Sequence, residues 1–311
     1  MHITPSAPTF RCTAPCVGRH EEWVNTTLQQ ALAVAENHGP KTRRSAAARR
    51  KFFGSLCSGL DCRFLTNNPR AIIPQLADAL GYSGASAEIG VWQGAYSIEM
   101  MRRWPSGGPH LLVDPWKSQN SSCTTAKSAT GRRHVKKSET SKWGDKQCRF
   151  DQDRFDRIAN VTRAHIWSTF PERAHIMRDF SVEAANRVPD ESFDLIYLDA
   201  RHDLAGVAAD LQAWWPKLCP GGIFAGHDFE RQVAIAVSGF LLGLKTNGSL
   251  TAPQLFVTAE HPASFFVVRP PLRCRDGETP PPPHTPRWPS AAAMKRAAPM
   301  KALKRGAHAH K

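Results

Sequence analysis

The apolar positions of this chain fall into short blocks of two kinds, and the two kinds alternate. Ala87, Ile89 and Val91, Leu111 to Val113, FDLIYLDA, GIFAGHDF, QLFVTAE and ASFFVVRP are brief runs, mostly rich in β-branched or aromatic residues and bounded by Gly, Pro or Asp, which predicts strands. Between them QGAYSIEMMRRW, the stretch from Phe155 to about Ile166, LAGVAADLQAWWPKL and VAIAVSGFLLGL carry helical spacing, the third with Leu204, Val207, Leu211 and Trp214 or Trp215 on its buried side. HIMRDFSVEAANRV reads as a strand leading through Asp179 and Ser181 into a helix, and CPGG is expected to stop the helix before it. Upstream, NPRAIIPQLADALGY predicts a short helix with Asn68 in capping position and Ile73, Leu76, Ala77 and Leu80 on its apolar side. Strand and helix in alternation argue for an α/β fold, an open and mostly parallel sheet with helices on both faces. The last two strands have no helix between them and are expected to form a hairpin.

Composition divides the chain into three parts. Residues 1–50 hold a Pro/Thr/Cys-rich arm, the alanine-rich stretch TTLQQALAVAENH with Leu28, Ala31, Leu32 and Ala35 on one side, and the basic run KTRRSAAARRK. That helix is placed either to dock on the domain or to serve a partner. Residues 51–270 carry the strand and helix pattern, and residues 271–311 form a Pro/Ala/Lys-rich tail expected to be disordered. Lys and Arg outnumber Asp and Glu by 41 to 27, and the excess sits in the extensions and in residues 117–150, where nine basic residues face only Glu139 and Asp145. Such segments suit weak contact with a polyanion.

No apolar run approaches the roughly 18 residues of a membrane span, and the N-terminus has no apolar signal core, so the expected location is the cytoplasm. Arg11, Arg19 and the scarcity of acids before Glu21 leave an organelle transit segment as the alternative. None of the eight cysteines shows the two-residue spacing of a zinc knuckle, and free thiols are expected. Sequons begin at Asn25, Asn120, Asn160 and Asn247.

Chemistry concentrates just after the strands, where open sheets of this kind bind ligands. Gly90 and Gly94 remove side chains at the first strand-to-helix turn, and Glu88 is a carboxylate inside an apolar strand, costly unless a ligand or neighbour pairs with it. Asp114 ends the second strand about twenty residues beyond that turn, where an acid can accept from ribose hydroxyls. Asp199, His202, His227 and Asp228 end the next two strands, an oxygen and imidazole set suited to a divalent cation of the Mg or Mn type. G-x-G-x-x-G is absent, which disfavours a nicotinamide cofactor.

With EIGVW, VDPW, DLIYLDARHD and GGIFAGHDF in this order, residues 70 to 270 resemble class I S-adenosylmethionine-dependent methyltransferases. The similarity is to the sugar O-methyltransferase branch and, more distantly, to catechol O-methyltransferase. The resemblance implies a doubly wound, Rossmann-like, seven-stranded sheet with one antiparallel strand. By position it places Glu88 and Gly90 at the methionine part of S-adenosylmethionine, Gly94 at the turn, Asp114 at the ribose, and Asp179 and Ser181 near the adenine. It implies Asp199, His227 and Asp228 as metal ligands and His202 of D-x-x-H as the catalytic base acting with Asp199. The implied reaction is O-methylation of a small-molecule or sugar hydroxyl assisted by Mg or Mn, with His227 standing where related enzymes often carry an acid. The alternative is a degenerate methyltransferase fold whose basic segments bind nucleic acid or another polyanion.

Overall fold

The computed structural model describes residues 13, 28–37, 54, 57–65, 69–118, 125–127, 133–135, 150–246 and 253–271. Asn68 and the tail after residue 271 lie outside them, as does most of the basic 117–150 segment. Of that segment a two-stranded antiparallel pair is described, β4 (Thr125–Lys127) with β5 (Arg133–Val135).

The central sheet has eight strands: β1 (Cys62–Phe64), β2 (Ser86–Ile89), β3 (His110–Val113), β6 (Ala174–Met177), β7 (Phe193–Leu198), β8 (Leu218–Gly226), β9 (Leu255–Val257) and β10 (Phe265–Val268). Their order is β1-β9-β10-β8-β7-β2-β3-β6. Neighbours from β6 to β8 run parallel, and β10 is antiparallel to both β8 and β9, the hairpin that the sequence pattern implies. The eighth strand is β1, which pairs parallel with β9 at the edge. Its three residues are too few to show any hydrophobic period, so the strand arises from pairing alone.

Among the described residues seven helices flank the sheet: α1 (Gln29–Asn37), α2 (Ile72–Ala79), α3 (Ala95–Arg103), α4 (Gln152–Thr169), α5 (Ser181–Ala185), α6 (Leu204–Trp214) and α7 (Arg231–Thr246). Side chains of a strand alternate between faces, and β7 does so here. Leu195 and Tyr197 join Ile72, Ile73, Leu76, Tyr96 and Met100 on one side, while Ile196 and Leu198 join Val207, Leu211, Trp214 and Val237 on the other. Leu28 and Leu32 are buried with the first group, so the alanine-rich helix docks on the domain. No helix among the described residues is long and apolar enough to cross a membrane.

Three local expectations are corrected. CPGG lies inside β8 instead of ending α6, which closes through a 3-10 turn at Trp215–Lys217. The strand absorbs the glycines through a register irregularity opposite Phe193 and Leu195, with Gly221 at φ 80°. Leu204 is 45% exposed because it is the first residue of α6, where the apolar stripe has not yet turned inward. Cys57 and Cys62 are joined in a disulfide and Cys219 is disulfide-bonded as well, so the free-thiol reading fails for these three. A five-residue separation closes a loop through backbone geometry that spacing rules do not register.

Candidate functional site

From β2 the chain proceeds outward to β3 and β6, then returns to place β7 and β8 on the other side of β2. The strand order therefore reverses between β2 and β7, the crevice in which doubly wound sheets receive ligands. Gly90 stands at that crevice with φ 93°, and a Cβ there would lie 2.1 Å from the backbone oxygen of Asp199. Gly94 has φ 71° at the N-cap of α3, where a Cβ would lie 2.6 Å from Ile166. Both positions require glycine, one to let β7 approach and one to let α4 pack.

Glu88 is 2% exposed, and its carboxylate accepts a hydrogen bond from the Ser97 hydroxyl. His110 Nε2 lies 3.8 Å away while His110 Nδ1 is 2.7 Å from Ser86 Oγ. Burial pushes Glu88 up from 4.5 to about 8, against the lowering effect of Ser97, and burial with the charge of Arg173 pushes His110 down to about 3. The cluster is therefore neutral at pH 7, without a buried net charge.

Asp114 ties the two loops of the crevice together. One carboxylate oxygen accepts from the backbone N–H of Trp92 at 2.8 Å, the other from that of Trp116 at 2.7 Å. Both tryptophans are held at positive φ, a conformation costly for bulky residues that these two bonds help to fix. Desolvation raises Asp114, and the backbone donors work against that rise.

Asp179 and Ser181 follow β6 as expected, but they are engaged differently from one another. Asp179 accepts from the Phe180 N–H at 2.9 Å and pairs with Arg187 at 3.0 Å, and it borders a cavity of about 320 Å³ with Pro115, Lys117, Gln152, Arg178 and Phe180. Ser181 accepts from the Trp214 indole at 3.0 Å and bonds to the buried Asp210. Its hydroxyl joins α5 to α6 and does not border that cavity.

At the ends of β7 and β8, four side chains converge. His202 Nε2 lies 3.4 Å from Asp199 Oδ1 and 3.1 Å from Asp228 Oδ2, and His227 Nδ1 lies 3.8 and 3.5 Å from the same atoms. The imidazole nearer to both carboxylates is that of His202, and Asp199, His202 and Asp228 offer ligand atoms within 4.8 Å of one another. The trio expected from position, Asp199, His227 and Asp228, shares its two carboxylates with that set. His202 stands in the loop between β7 and α6, whose first turn is capped by Asp203, and that loop brings its ring closer to both carboxylates than His227 comes from the end of β8. Asp228 is held at φ 51°, which aims its carboxylate back into the cluster. Burial works to lower His202, but the Asp199 bond and the charges of Asp228 and Asp199 leave it raised above 6.5. Burial works to raise Asp228, but His227, His202 and Arg70 leave it lowered.

Arg70, Tyr96, Ser97 and His110 belong to this site and were not singled out from the sequence. Arg70 stands in a loop before α2 with no motif around it, so only its packing reveals it. Ser97 follows Glu88 by nine residues, and helical phase placed after Gly94 is the signal that would have found it.

Residues 87–229 match a protein family described as a methyltransferase domain. That match runs from β2 to the residues just after β8, the part of the sheet that holds the crevice. A curated relative, the Sinorhizobium fredii protein y4gI, is 37% identical over 57 residues, which is 18% of this chain and 6% of that protein. The chain thus spans only a small fraction of that relative. Among solved structures, an O-methyltransferase from Bacillus cereus in complex with SAH is 14% identical, with a TM-score of 0.37, covering 80% of this chain and 96% of that one. Spermidine synthase from Thermotoga maritima is 13% identical, with a TM-score of 0.34, covering 60% and 53%. The strand order and the match over residues 87–229 are what the functional reading below builds on. The expected seven-stranded sheet is present within the eight, with β1 added.

Proposed function

We propose that this methyltransferase transfers the methyl group of S-adenosylmethionine to a hydroxyl of a small molecule or sugar, with His202 as the base. The observation that carries the reading is the convergence of Asp199, His202, His227 and Asp228 directly beside Gly90, whose missing side chain lets the end of β7 close against the glycine turn. A sulfonium methyl needs little activation, so the protein's task is alignment and removal of the acceptor proton. In this reading Glu88 and Ser97 border the amino-acid end of the cofactor, Asp114 takes the ribose hydroxyls, and the cavity beside Asp179 and Phe180 takes the adenine.

His202 accepts the proton on Nε2, and Asp199 and Asp228 stabilise the imidazolium that results. Two carboxylates and two imidazoles are also a donor set that fits a divalent cation, with nitrogen ligands favouring Mn over Mg. Asp199, Asp228 and one imidazole would hold it. When bound, such a cation lowers the pKa of a coordinated hydroxyl. With His202 as a ligand, His227 is the ring left to receive the proton.

The test is binding and turnover together. The full chain is titrated with S-adenosylmethionine and NAD by calorimetry, then given phenolic, catecholic and sugar acceptors with radiolabelled methyl donor, in Mn, in Mg and in chelator. Expected are selective S-adenosylmethionine binding and hydroxyl methylation that Asp199→Asn and Asp228→Asn reduce. Absence of binding at millimolar donor would overturn the cofactor reading. Methylation that is indifferent to both substitutions would overturn the site.

A further inference from the structure

Arg70 is a cation of the crevice to which the reading above gives no ligand, and its setting is that of a receptor. Its guanidinium lies 4.5 Å over the Tyr96 ring, and its backbone is pinned on both sides. The Arg70 N–H donates to Glu260 Oε1 at 2.9 Å, and the Arg70 carbonyl accepts from the Tyr96 hydroxyl at 3.1 Å. Ser264, itself donating to Glu260 at 2.8 Å, holds the Tyr197 hydroxyl at 3.1 Å, and Tyr197 bonds the Arg70 side chain. The loop before α2, the start of α3, β7 and the β9–β10 hairpin therefore fix one cation in place.

That fixation exceeds what its partners need. The nearest carboxylate, Asp199 Oδ2, is 3.9 Å from Nη1, an ion-pair distance without hydrogen-bond contact, and the side chain stays 31% exposed. A guanidinium carries five N–H donors in a planar fork matched to a carboxylate. Tyr197 uses part of that fork, and Nη1 stands 3.9 Å from Asp199 at the end of β7. Stacking on Tyr96 has already removed much of the rotamer freedom that binding would otherwise cost.

We propose that Arg70 is a positioning residue that receives the α-carboxylate of the S-adenosylmethionine amino-acid end and so sets the methyl group toward His202. The proposal rests on the cofactor reading above and adds a role for one residue. Its ligand is an amino-acid carboxylate and not an acidic acceptor, because Arg70 is stacked on Tyr96 and lies close enough for its charge to act on Glu88, the residue read above as bordering the amino-acid end.

The experiment compares S-adenosylmethionine with its decarboxylated form, which keeps the sulfonium and the amine and lacks only the carboxylate. Binding of each to the full chain is measured for wild type, Arg70→Gln and Arg70→Lys. Expected is a loss of about 10- to 100-fold for S-adenosylmethionine in Arg70→Gln, the worth of a charge-assisted contact, with affinity for the decarboxylated form nearly unchanged. Arg70→Lys should recover part of the difference, since it keeps the charge and loses the fork. An equal loss for both ligands would show a structural role and overturn the proposal, as would no loss for either. A wild-type chain that binds neither ligand would instead overturn the cofactor reading itself.

Discussion

Glu88→Gln is expected to stabilise the ligand-free protein above pH 5 while weakening its hold on S-adenosylmethionine. Glu88 is 2% exposed, and burial raises it from an ordinary value of 4.5 to about 8. Between those values the unfolded chain has released a proton that the folded protein keeps, so stability falls as pH rises through this window and is fully present below it. The cost is about 1.4 kcal/mol per pH unit, which over the interval from 4.5 to pH 7 accumulates to about 3 kcal/mol. Glutamine reproduces the neutral carboxyl and, with its carbonyl in the Oε2 position, still accepts from Ser97. Urea unfolding of wild type and variant at pH 5, 6, 7 and 8 measures the effect. The two should nearly coincide at pH 5 and diverge by about 1 to 3 kcal/mol at pH 7 to 8, with the variant ahead. Parallel stability curves, or a variant that is less stable throughout, would refute the claim that Glu88 is held neutral. The cofactor brings positive charge, which favours the ionised carboxylate, so the same substitution should weaken S-adenosylmethionine by roughly tenfold or more.

Two further outcomes test the crevice. Gly90→Ala places a methyl group 2.1 Å from the Asp199 carbonyl at a φ of 93°, so the protein should lose about 3 kcal/mol or fail to fold, read by thermal unfolding. His202→Ala should lower turnover by about 10² to 10⁴ and recover at high pH, where the acceptor ionises unaided. In the wild type the acid limb of the rate profile should lie above pH 6.5, because a raised His202 stays protonated further into the neutral range and a base must be unprotonated. A limb at or below 6.5, or a near-normal alanine variant, would remove His202 from the base role.

Much of this molecule was legible before any coordinates. The period of the apolar blocks shows the parallel sheet, because strands buried on both faces must read as short continuous apolar runs and their covering helices must not. Glycines and acids at strand ends mark the crevice, because a backbone approached by another strand or by a ligand admits no Cβ there, and Gly90, Gly94, Asp114, Asp199 and Asp228 all stand where that rule puts them. What the pattern could not supply is partnership between distant segments. Arg70 has no periodicity to betray it and becomes part of the site only because Tyr96, Tyr197 and Glu260 close around it from three elements. Ser181 has the right position for a ligand, yet its hydroxyl is taken by Trp214, 33 residues away. The ring nearest both carboxylates is His202 and not His227, which depends on how the loop after β7 meets the end of β8 and not on local spacing. Sequence determines which residues reach the edge of the sheet, since that follows from local period and turn chemistry. Which of them meet, and at what charge, depends on packing and desolvation, and those exist only once the chain has closed on itself.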